Sequence, residues 1–121
     1  MKNFIEQLTD LYSVQIVDDG IILRTAIMYA GADHTFSFFI QLQGEGSYTI
    51  TDRGQTLDYL RENIDPNKYL DKIHKICERF EIELTDGVFI GRLASIASGQ
   101  TMRNLSKFIG AMNIIANVDI L

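Results

Sequence analysis

Over Ser47–Leu60 the hydrophobic period of the chain changes from two to that of a helix, and the change is made across one tight corner. Tyr48 and Ile50 alternate with Ser47, Thr49 and Thr51, the pattern of a half-buried strand. Leu57, Leu60 and Ile64 then follow at helical spacing. Asp52-Arg53-Gly54 lies between. A short Asp side chain accepts backbone N–H bonds just downstream, and Gly tolerates the positive φ that other residues resist. A strand that must turn at once into a helix favours an α+β domain, with a sheet on one side and helices gathered on the other.

The segments on either side fit that frame. Phe4, Ile5, Leu8, Leu11 and Tyr12 form one stripe of a short amphipathic helix. Val14 and Ile16 alternate with polar residues, and Asp19-Gly20 signals a type I′ hairpin turn. The return strand, from Ile21 to about Tyr29, is apolar on both faces, which predicts cover on both sides. Residues 30–34 form a loop. Phe36, Phe38, Ile40 and Leu42 mark a third strand, and 43–46 a turn into the fourth. Residues 13–51 therefore read as a four-stranded antiparallel meander. A helix is expected over about 55–63. Asp65 then suits an N-cap and Pro66 a first helical position, opening a helix buried through Tyr69, Leu70, Ile73, Ile76, Cys77 and Phe80. Residues 81–84 and 88–90 predict a second short hairpin about Asp86-Gly87, and a last helix covers about 100–117.

The chemistry is sparse. With 121 residues, 46% of them hydrophobic, the chain is expected to fold as one globular domain, 1–121. A net charge of −5 argues against direct nucleic-acid binding. One cysteine, Cys77, allows no intramolecular disulfide and no paired-thiol metal site, and its place in an apolar stripe makes it a core residue. The first residues are too polar for a signal peptide and no apolar run approaches a membrane span, so a soluble cytoplasmic protein is expected. His34 stands in a loop. His74 shares a helix face with Asp71 and Glu78, as a solvated face also would. The glycines at 44, 46, 87 and 91 lack the lysine and the strand-to-helix context of a phosphate loop. Asp52, Asp58, Glu62 and Asp65 are close in sequence, and paired carboxylates serve metal-dependent nucleases. Asp52 and Asp65 also suit caps, which leaves Asp58 and Glu62 as an acidic binding surface. No catalytic residue, cofactor or metal ligand set is identified.

The stretch Thr51-Asp52-x-Gly54-x-Thr56-Leu57-x-x-Leu60 resembles the strand–turn–helix motif of an uncharacterised domain family of bacterial and phage genomes. The likeness extends through residues 80–84 and the closing helix. It implies an α+β domain and a link to phage–host conflict, with no activity attached. Thr51, Asp52, Gly54, Thr56, Leu57 and Leu60 carry over as structural residues.

The expected function is a non-enzymatic protein-interaction module, in its narrower form a phage-encoded inhibitor of a bacterial defence nuclease. The alternatives are a metal-dependent nuclease or nuclease accessory built on the acidic cluster, and a small-ligand sensor. A protein partner is implied. Five Tyr, seven Phe and four Met exceed what a small core must hide. Met102, Leu105, Ile109, Met112 and Ala116 occupy one stripe of the last helix, and Phe108 and Ile115 widen it. That width predicts a homodimer through this C-terminal helix.

Overall fold

The computed structural model describes residues 4–28, 35–44, 47–62, 64–93 and 98–120. Helix α1 (Phe4–Leu11) leads into β1 (Ser13–Val17), β2 (Gly20–Met28), β3 (Thr35–Gly44) and β4 (Ser47–Thr51). Helix α2 (Gln55–Arg61), a 3₁₀ turn (Pro66–Tyr69) and α3 (Leu70–Arg79) follow. Strands β5 (Glu83–Thr85) and β6 (Val88–Arg92) precede α4 (Ser98–Ala116) and a final 3₁₀ turn (Val118–Ile120). The predicted α+β class and four-stranded meander are both observed. The loop at 30–34, with His34, and residues 45–46 and 94–97 lie outside the described residues.

All six strands form one antiparallel sheet in the order β1-β2-β3-β4-β6-β5. The second hairpin is thus not separate. β6 runs beside β4, with Ile50 opposite Gly91, and β5 forms the far edge. Alternate residues of each strand turn to the helices, among them Leu23, Phe38, Ile40, Ile50 and Phe89, all at most 2% exposed. Among the described residues no helix lies on the other face. There Arg24 donates to the Gln15 amide oxygen at 3.2 Å, and the Arg53 guanidinium lies 4.0 Å over the Phe39 ring and shields it.

Three expectations are corrected. The β1–β2 turn residues are Asp18-Asp19, with Val17 opposite Gly20, and neither aspartate has a positive φ. Gly20 begins the strand instead, because a Cβ there would run into the Ile40 carbonyl and the Phe39 ring. β2 is covered on one side only: Ile21, Leu23 and Thr25 are buried beneath the helices, while Arg24 on the opposite face is exposed. The wide apolar surface of α4 is enclosed within the chain. α1, α2 and α3 all pack on α4, and Leu105, Phe108, Ile109, Met112, Ile115 and Ala116 are each 4% exposed or less. A helix surrounded on three sides must be apolar around most of its girth, so the width of the stripe calls for no second chain.

Gly91 sets how closely α4 approaches the sheet. A Cβ there would stand 2.6 Å from Cδ2 of Phe108. The ring fills that space and meets Phe38 edge-on, with centroids 5.5 Å apart. Among the described residues no helix is long and apolar enough to cross a membrane.

Candidate functional site

The strand–helix corner is built on Asp52, which is fully buried. Its Oδ1 accepts the N–H groups of Gly54 and Phe89, each at 3.0 Å. Its Oδ2 accepts the Thr56 N–H, also at 3.0 Å. One carboxylate therefore caps the start of α2 and continues the β4–β6 ladder, since the Asp52 N–H donates to the Phe89 carbonyl at 3.3 Å. Arg53 and Gly54 have φ of 56° and 84°, and the Gln55 N–H closes onto the Asp52 carbonyl at 3.2 Å. That is a type I′ turn, the geometry for which Gly54 is needed. Thr51 Oγ1 accepts the Arg53 N–H at 3.0 Å. The Thr56 hydroxyl donates to the Met112 sulfur at 3.6 Å. Leu57 and Leu60 are 5% and 2% exposed. The motif residues thus share one task, fastening β4 and α2 to β6 and α4.

A second type I′ turn lies beside the first. Asp86 and Gly87 have φ of 52° and 80°, and a Cβ on Gly54 would come 3.7 Å from the Gly87 carbonyl oxygen. This is the Asp86-Gly87 hairpin expected from sequence.

The four carboxylates of the proposed acidic cluster do not converge. Asp52 is occupied by three backbone amides. Asp65 accepts the Asn67 N–H at 3.0 Å, capping the 3₁₀ turn. Asp58 pairs with Arg61 at 3.1 Å, with both side chains more than half exposed, where such a pair contributes little. Glu62 is exposed. Asp58 and Glu62 therefore remain as solvated acidic surface at the end of α2. On α3, Asp71, His74 and Glu78 are all exposed. Among the described residues no three His, Cys, Asp or Glu side chains are placed to share a metal ion. Cys77 is buried, and burial pushes its thiol up to about 11, far from an activated nucleophile.

The surface that sequence reasoning missed lies where the helices stop short of the sheet. Leu42 and Ile16 are 58% and 69% exposed, although both point to the helix-bearing face. A groove of about 490 Å³ runs over Ile21, Ile40, Leu42 and Tyr48 and is rimmed by Asp18 and Asp19. The alternation of Leu42 with Gln41 marks it as inward-facing. Nothing local tells that the helices end before reaching it. A smaller cleft, of about 140 Å³, lies between β6 and α4, with Glu81, Glu83, Arg92, Asn104 and Lys107 among its lining residues.

No protein-family model matches the chain, and no curated protein or solved structure is similar to it beyond chance.

Proposed function

We propose that this chain is a non-enzymatic protein-interaction module whose partner docks at the end of the sheet, over Leu42. The observation that carries the reading is the groove of about 490 Å³, apolar in its floor and acidic at its rim. A large apolar side chain left exposed in a groove bounded by charge, as Leu42 is at 58%, favours a protein partner. Asp18 and Asp19 favour one with lysines or arginines flanking an apolar anchor. Asp58 and Glu62 would extend the acidic field that steers such a partner.

In its narrower form the module is an inhibitor of a bacterial defence nuclease, acting in the cytoplasm. The likeness of the Thr51–Leu60 motif to the bacterial and phage family supports it, as does a net charge of −5 set against a basic nucleic-acid channel. Affinity capture from bacterial lysate, comparing the wild type with Leu42→Glu and with Glu62→Ala, tests the reading. A partner retained by the wild type and by Glu62→Ala but lost by Leu42→Glu is the expected result. Capture insensitive to Leu42→Glu overturns the docking site. Nuclease activity of the purified chain with Mg²⁺ or Mn²⁺, abolished by Glu62→Ala, overturns the non-enzymatic reading.

A further inference from the structure

The two edges of the sheet are treated differently by the chain. β5 has three residues, Glu83-Leu84-Thr85. It carries a charge and ends in the Asp86-Gly87 turn, so it offers little backbone to another strand. β1 has five residues, Ser13-Val14-Gln15-Ile16-Val17, with no charge, proline or glycine among them. Charges and proline are among the devices by which natural proteins blunt an open edge, and β1 lacks both.

The hydrogen-bond parity shows which amides are open. The two-residue turn closes on the Val17–Gly20 pair, so Ser13, Gln15 and Val17 bond to β2 and the N–H and C=O groups of Val14 and Ile16 face outward. The same alternation carried across the sheet puts Tyr48 and Asp52 toward β6, and their bonds to Leu93 and Phe89 are observed there. Two of the three large apolar residues most exposed among the described residues flank this edge, Ile16 at 69% and Leu11 at 67%.

We propose that β1 pairs with β1 of a second copy of this chain, antiparallel about a two-fold axis through Gln15, making one continuous sheet across both copies. This rests on the ladder and the exposure of β1, and is independent of the groove at Leu42. The strand is self-complementary in that register. Val14 stands opposite Ile16 of the second copy, both with their amides outward, so each pair closes two backbone hydrogen bonds. Val14 and Ile16 lie on the same face and cover one another across the axis, while Gln15 lies on the polar face. The register brings Asp18 and Asp19 of one copy beside the Leu11–Tyr12 end of the other, away from the Asp18 and Asp19 of that copy and next to its exposed Asp10. Closed two-fold symmetry also uses up the edge, leaving none to propagate.

Gln15 would face Gln15 of the second copy as a non-hydrogen-bonded pair, with Cα atoms about 4.5 Å apart, within disulfide reach. Gln15→Cys should therefore cross-link on mild oxidation into a species of twice the 13.7 kDa chain mass, whereas Gln41→Cys, on the same face but inside the sheet, should not. Sedimentation equilibrium across the micromolar range should give the wild type a mass rising from 13.7 kDa toward twice that value. Ile16→Lys, at an exposed position that leaves the monomer core untouched, should hold it at the monomer mass. A wild type that stays monomeric throughout, equal cross-linking of the two cysteine variants, or undiminished association of Ile16→Lys each overturns the proposal.

Discussion

Asp52 places a buried carboxylate where three backbone amides converge, two of them out of water. Removing it strands the buried Thr56 and Phe89 donors, while the part-buried Gly54 N–H keeps some access to water, and each unsatisfied buried group costs about 1–3 kcal/mol. Relaxation recovers part of that, so Asp52→Ala should lower stability by about 3–4 kcal/mol in urea unfolding. A loss below about 1 kcal/mol would mean that it acts only as an ordinary N-cap. Glu81 shows the opposite situation. At the end of α3 the Ile82 N–H bonds the Cys77 carbonyl at 2.8 Å and the Glu81 N–H bonds that of Glu78 at 3.3 Å, a Schellman closure with Glu81 in the left-handed position at φ 57°. Glycine is the residue suited to that position, so Glu81→Gly should stabilise the chain by about 0.5–1 kcal/mol, read from the same urea curves. Cys77 should react slowly with a thiol reagent at pH 7 in the native protein and fast once unfolded. Its folded value of about 11 lies above the roughly 8.5 of a free thiol, so its contribution to stability is full below about pH 8.5 and lost as pH rises toward 11. Labelling rates against pH check the order.

At the level of elements, β6 and α4 fit closely at Gly91. Gly91→Ala puts a Cβ into the Phe108 ring, and overpacking of this kind costs about 1–3 kcal/mol. Phe108→Leu, which vacates the space, should recover part of that loss in the double variant. Additive losses in a double-mutant cycle would mean that the two do not share the site. The elements also mark where sequence was informative. Asp86-Gly87 was legible because a type I′ turn is settled by two adjacent residues. The corner at Asp52 was legible for the same reason, since the cap and its glycine lie within five positions. Asp19-Gly20 misled, because its glycine answers a steric need from β3, which no dipeptide reveals. The insertion of β6 beside β4 left no local trace, since strand pairing depends on residues far apart in the chain. The girth of α4 was read as an interface because a one-dimensional pattern counts apolar faces without saying how many neighbours surround the helix.

At the level of the molecule, the chain is fastened by a single central helix and one seam. The remaining strand pairs, β1–β2, β2–β3, β3–β4 and β5–β6, join strands that follow one another in the chain. Each can zip as a hairpin, with a small closure entropy. The β4–β6 seam joins Asp52 to Phe89, which are 37 positions apart. That pairing must wait until the intervening helices have folded back, and its closure entropy is spent before its contacts are made. The meander and the β5–β6 hairpin would then form ahead of the rate-limiting barrier and the Asp52 bonds after it. An Asp52→Ala chevron should show the refolding limb nearly unmoved and the unfolding limb raised, with a φ-value near zero, and a value near one would place the seam in the folding nucleus. The lifetime of the native state, rather than the speed of reaching it, is thus what this one carboxylate governs.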